Sequence, residues 1–133
     1  MDNTWKVQFA QGGQDLLTRA GLQPQHIFDD PRIVAWRDLP DRQNCYLDFP
    51  GGRLHIKRFK PPHGRDALRE ARAISLLQSA GIPTVPLVAH GTCNDGRGFL
   101  ISEHLASYAP ADRVLKDPEH RADLPERIAD LAT

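Results

Sequence analysis

Net charge is what this sequence most plainly lacks: seventeen Lys and Arg balance seventeen Asp and Glu over 133 residues. A neutral chain is a poor candidate for a purely electrostatic binder of nucleic acid or of an anionic membrane. Cysteine is nearly absent too. Cys45 and Cys93 are too few for a disulfide-dense secreted scaffold and suit two reduced thiols in the cytoplasm. No run of eighteen apolar residues occurs, and Met1-Asp2-Asn3-Thr4-Trp5 has neither the charged nor the apolar region of a signal peptide. The histidines (His26, His55, His63, His90, His104, His120) show no ligand spacing such as CxxC or HxxxH, so no metal site is expected.

What is present is enough apolar residue, 40% of the chain, for one core. The neutral total also conceals a local imbalance. Arg53 to Arg72 holds seven basic and two acidic residues, whereas Glu103 to the end holds seven acidic and four basic ones. The basic segment is either a binding surface for nucleic acid or anionic lipid or a solvated face. Its charges alternate on strand and helix with few interleaved aromatics, which favours the solvated face, and no nucleic-acid partner is expected.

Periodicity and breakers divide the chain. Asp15 to Ala20 reads as a short helix closed by Gly21. Ile33–Trp36, Asn44–Phe49 and Arg53–Phe59 read as three strands, the last two joined by the turn Pro50-Gly51-Gly52. Pro61-Pro62-His63-Gly64 then separates this meander from the clearest helix, Asp66 to Ala80, which Gly81 closes and Pro83 forbids from continuing. Val85–Ala89 and Phe99–Ser102 are further strand candidates, and Leu124, Ile128 and Leu131 recur at helical spacing.

Two residues fit a plain core badly. Ala67, Glu70, Ala73, Ile74 and Leu77 fall on one face of the long helix, and a carboxylate on a packing face is costly unless a cation meets it. Arg69 or Arg72 could reach round to it. In the third strand, Leu54, Ile56 and Arg58 share one face, leaving His55, Lys57 and Phe59 on the other. Lys57 is therefore either at a sheet edge or solvent-facing, or else paired with Glu70 across a sheet–helix interface. The second arrangement is the ion pair with which kinases aim a lysine at phosphates.

With these residues in place, the sequence resembles the lipopolysaccharide core (Kdo/heptose) kinases of the protein-kinase-like fold. The resemblance rests on Leu54-His55-Ile56-Lys57-Arg58-Phe59, Ala67-Leu68-Arg69-Glu70-Ala71, Ala80-Gly81-Ile82-Pro83-Thr84-Val85-Pro86 and Gly98-Phe99-Leu100-Ile101-Ser102-Glu103, in order over about residues 33–132. It implies an α+β fold: a five-stranded antiparallel sheet with one long helix packed on it, plus a short N-terminal helix and the start of a C-terminal one. The implied organisation is an N-terminal extension (1–32), a kinase-like lobe and hinge (33–109), and the truncated start of a helical lobe (110–133).

The resemblance implies ATP as nucleotide, with Lys57 on its phosphates and Glu70 holding Lys57. Ser102 would be the gatekeeper of the adenine pocket, and the Glu103 carbonyl and Leu105 N–H the hinge groups. Mg²⁺ ligands and the catalytic carboxylate would lie in the helical lobe, so no catalytic residue is assigned here. The implied acceptor is a lipopolysaccharide core sugar or another hydroxyl, and the implied location cytoplasmic or peripheral at the inner face of the membrane. Two departures stand out. Arg37-Asp38-Leu39-Pro40-Asp41-Arg42-Gln43 contains no glycine where kinases place a phosphate-covering loop, and His55 stands where a small residue lies beneath adenine. His63-Gly64-Arg65-Asp66 has a catalytic-looking composition but opens the long helix. The competing function is a kinase-like remnant serving as a binding or regulatory module, self-associating through Leu124, Ile128 and Leu131.

Overall fold

The computed structural model describes residues 3–104. Strand β1 (Trp5–Phe9) is followed by helix α1 (Gly13–Ala20), a 3₁₀ turn (Pro24–His26), and strands β2 (Val34–Asp38), β3 (Arg42–Phe49) and β4 (Gly52–Phe59). Helix α2 (Arg65–Ser79) and strands β5 (Leu87–Cys93) and β6 (Gly98–Glu103) complete them. Every strand pairing is antiparallel, in the order β1-β5-β6-β4-β3-β2. Among the described residues no helix is long and apolar enough to cross a membrane.

The sheet has six strands, not the expected five. The additional one is β1, whose Trp5, Val7 and Phe9 alternate with Lys6 and Gln8 and which pairs with β5 from Trp5↔Cys93 to Phe9↔Ala89. The alternation was visible in the sequence, but the partner lies more than eighty residues away. The strand expected from Val85 to Ala89 starts at Leu87 and runs to Cys93. The helix expected around Leu124, Ile128 and Leu131 lies outside the described residues.

Each face of the sheet has its own cover. Leu54 and Ile56 of β4, Cys45 and Leu47 of β3, and Phe99 and Ile101 of β6 face the segment between β1 and β2, which contributes Leu16, Leu17, Ala20, Leu22, Ile27 and Ile33. Arg58 belongs to this face. Its Nε donates to the Ile27 carbonyl at 2.8 Å, so a charged side chain anchors the N-terminal segment instead of reaching water. Gly21 closes α1 in the left-handed conformation, its N–H bonding to Leu17 and Thr18 carbonyls, as the sequence led one to expect.

Helix α2 covers the opposite face, where Phe59, Leu100, Ala67 and Ala71 are buried together. Its packing stripe is narrower than the spacing implied. Ala73 is exposed and Leu77 is 41% exposed, so contact is made by Ala67, Ala71 and the partly buried Ile74. Two alanines in the contact let the helix axis approach the strands closely. Closeness continues at its start, where Gly64 N–H donates to the Gly96 carbonyl at 2.9 Å. A Cβ on Gly64 would overlap the Arg97 carbonyl, and one on Gly98 would overlap Gly64.

Gly64 has φ −56°, a torsion any residue accepts, so its requirement for glycine is steric alone. Backbone entropy by itself would make Gly64→Ala stabilising by about 0.4–1 kcal/mol. The overlap reverses that sign: Gly64→Ala is expected to lower unfolding stability by about 1–3 kcal/mol, read from urea denaturation. A rise in the midpoint would show that α2 does not dock through this contact.

Candidate functional site

Strand β4 lies between β6 and β3, so Lys57 occupies the interior of the sheet and not an edge. Its side chain rises on the α2 face, and Nζ meets Glu70 Oε1 at 2.8 Å, the two side chains being 31% and 35% exposed. Neither neighbouring arginine takes this carboxylate; Arg69 instead pairs with Asp66 at 3.0 Å. Glu70 thus stands on the packing side of α2 because a strand lysine comes to meet it. Its second oxygen, Oε2, is buried without a partner among the described residues. Lys57 has used one of its three donors on Glu70, and its ammonium remains partly open to solvent.

The register shows what else shares this face. Lys57 is opposite Asn44 of β3 and Leu100 of β6, and His55 is opposite Tyr46 and Ser102. Ser102, 7% exposed, therefore lies on the same face as Lys57, one side-chain repeat along β6, about 7 Å away. Glu103 is exposed and opposite Leu54. Its N–H is already taken by the Pro86 carbonyl at 2.9 Å. Leu105 lies outside the described residues. The structure thus brings Lys57 and Glu70 into contact and sets Ser102 beside them.

Two participants escaped the sequence reading. His104 bonds His55, with Nε2 and Nδ1 3.0 Å apart, and its N–H donates to the Arg53 carbonyl at 3.0 Å. Nothing in the spacing of two histidines forty-nine residues apart signals this contact. Asn44 alternates with the buried Cys45 and Leu47, which placed it on the non-core face. Only the register shows that it neighbours Lys57. Two surface hollows, of about 650 Å³ around Arg32 and 390 Å³ around Arg65, lie away from the Lys57–Glu70 pair. Among the described residues no group of three or more His, Cys, Asp or Glu could hold a metal ion.

Burial pushes the His55 pKa below the ordinary 6.5, the His104 and Arg53 charges adding in the same direction while Asp48 opposes them. His90 is lowered by burial alone, and its Nε2 is buried without a partner among the described residues. With the folded pKa depressed, the unfolded chain takes up these protons first. Stability is therefore full above pH 6.5 and declines as pH falls through and below it, levelling once the folded histidines titrate. The depressed carboxyls of Asp30, Asp38, Asp48 and Asp95 add their losses only in more acid solution. A urea midpoint that falls between pH 7.5 and 5.5, with a shallower fall in His55→Gln, is the expected result. An identical slope in that variant would contradict it.

No family model and no curated protein matches the chain. A solved structure described as WaaP in complex with acyl carrier protein is similar to it, with a TM-score of 0.56 and 21% sequence identity. The similarity covers 85% of this chain and 48% of that one, so the chain spans about half the length of the protein it matches. At that identity the likeness shows the fold alone: an α+β arrangement of an antiparallel sheet with a long helix packed on it.

Proposed function

We propose that this chain is the nucleotide-binding lobe of an ATP-dependent phosphotransferase whose acceptor is a hydroxyl resembling that of a lipopolysaccharide core sugar. The observation that carries the reading is the Lys57 Nζ–Glu70 Oε1 contact at 2.8 Å between an interior strand and the only long helix among the described residues. A lysine fixed by a carboxylate and still open to solvent fits an ATP phosphate, because its remaining N–H donors can bond anionic oxygens while Glu70 limits where the ammonium points. ATP supplies the transferable phosphoryl group. The chain's own residues bind and orient it.

In this reading Lys57 contacts the phosphates and Glu70 positions it. Ser102 backs the adenine pocket, with the Glu103 carbonyl and the Leu105 N–H as hinge groups. Residues 33–109 form the lobe and hinge, 1–32 extend it, and 110–133 begin a helical lobe that would supply the Mg²⁺ ligands and the catalytic carboxylate. The site is assigned to the cytoplasm or to the inner face of the membrane, where a nucleotide is available. A second reading, a non-catalytic binding module, draws on the His55–His104 contact, which sets two imidazoles where the base would stack. Self-association through Leu124, Ile128 and Leu131 belongs to that reading.

Thermal unfolding with and without ATP separates the two. A ligand bound only to the folded state raises Tm, so ATP is expected to raise Tm of the chain, and Lys57→Met to abolish the rise. Both side chains of the pair are about one-third exposed, so losing the cation is expected to lower the ligand-free Tm without preventing folding. An unchanged ATP shift in Lys57→Met would place the nucleotide elsewhere. No shift in the unaltered chain would favour the binding-module reading.

A further inference from the structure

The β2–β3 connection has little to offer a phosphate. It contains no glycine. The Leu39 N–H is spent on the Arg42 carbonyl at 2.8 Å, Pro40 has no N–H to give, and Asp41 is an anion. The loop is also tied down, since Lys60 Nζ bonds Asp38 Oδ1 at 2.6 Å and the Leu39 carbonyl at 2.7 Å, while its N–H reaches the Asp41 carbonyl at 2.9 Å. A backbone cradle of the kind that glycine permits is not built here.

Side chains on the adjoining strands supply donors in its place. Arg37 is opposite Asn44, and Asn44 is opposite Lys57. These three residues of β2, β3 and β4 therefore form one row on the α2 face, their Cα atoms spanning about 10 Å. A bulge at Trp36, between Ala35 and Arg37, brings Arg37 into the row, because an extra residue re-aims the side chain that follows. Arg37 is exposed, and its guanidinium has no ion pair or hydrogen bond among the described residues. Asn44 Oδ1 is buried and without a partner there, and its amide nitrogen makes no hydrogen bond either. The row therefore combines a guanidinium, a carboxamide and an ammonium whose donor capacity is unfilled or partly filled.

We propose that Arg37 and Asn44 act with Lys57 as a side-chain cradle for the polyphosphate of the nucleotide, replacing the missing backbone loop. This rests on the nucleotide reading given above and adds two binding residues to it. Arg37 offers a fork of N–H donors matched to phosphate oxygens. Asn44, between the two cations, offers its amide N–H groups. The remaining charges near the row are taken: Asp38 by Lys60 at 2.6 Å and Glu70 by Lys57 at 2.8 Å. An incoming polyanion therefore meets no free carboxylate in register with it.

The test uses the full chain titrated calorimetrically with ATP and, separately, with inorganic tripolyphosphate. The variants are Arg37→Ala, Asn44→Ala, Lys57→Met and, as a charge-loss control, Arg72→Ala, an exposed arginine of α2 outside the row. Loss of a hydrogen bond to a charged group corresponds to about tenfold or more in affinity. Both ligands are expected to weaken about tenfold in Arg37→Ala and severalfold in Asn44→Ala, with Arg72→Ala unchanged. If Lys57→Met loses ATP but Arg37→Ala and Asn44→Ala do not, the cradle is overturned and the nucleotide reading stands. Tripolyphosphate binding that depends on the row, with ATP bound no more tightly, upholds the cradle and overturns the nucleotide reading. If the unaltered chain binds neither ligand, or Arg72→Ala loses as much as Arg37→Ala, the cradle is overturned.

Discussion

The close seating of α2 on the sheet is the constraint on which the rest depends. Ala67 and Ala71 are buried where larger side chains would hold the helix away, and Gly64 meets the Gly96–Gly98 turn backbone to backbone. Only at that separation can a lysine on a strand and a glutamate on a helix bring their heads to 2.8 Å. Bulkier residues at the two alanines would bury more apolar area, yet they would lift Glu70 out of reach. The helix gives up some hydrophobic packing for position.

The ion pair itself contributes little to stability. At about one-third exposure, its attraction is offset by desolvation and by the entropy of fixing two long side chains, leaving about 0–1 kcal/mol. Its effect is directional. Lys57 and Arg58 are adjacent in sequence and anchored on opposite faces of the sheet, one to α2 and the other to the Ile27 carbonyl. Strand β4 is thus fixed from both sides by cations, and its apolar neighbours Ile56 and Phe59 are buried beneath them. The sheet face that carries Lys57 also carries His55, Ser102 and Asn44, so polar chemistry concentrates there while the other face is mostly aliphatic core.

Local chemistry made much of this readable. The turn at Pro50, the closure of α1 at Gly21 and the alternation in β4 each follow from neighbouring residues, and the Lys57–Glu70 pair announced itself as two misfits that resolve each other. What escaped depends on partners distant in the chain. Strand β1 was hidden because an isolated alternating pentapeptide means little until β5 lies beside it. His104 was hidden because hydrogen bonds between rings leave no periodic trace. The helix stripe was drawn too wide because spacing alone says which residues share a face and not how far the neighbouring surface extends. Leu77 lies beyond that surface and is exposed.

The pairing of β1 with β5 bears on the order in which the structure assembles. The β2–β3–β4 meander closes through short turns, whereas Trp5 must find Cys93 across nearly the whole described chain. Closing so long a loop before other contacts exist carries the larger entropic cost, so the first of the six described strands in chain order is the one whose ladder completes last. Until β5 is in place, Trp5 can stack on Phe28, but the backbone of β1 has no strand to pair with among the described residues. Strand β1 therefore works as a closing clasp, engaging only after the sheet it borders has formed.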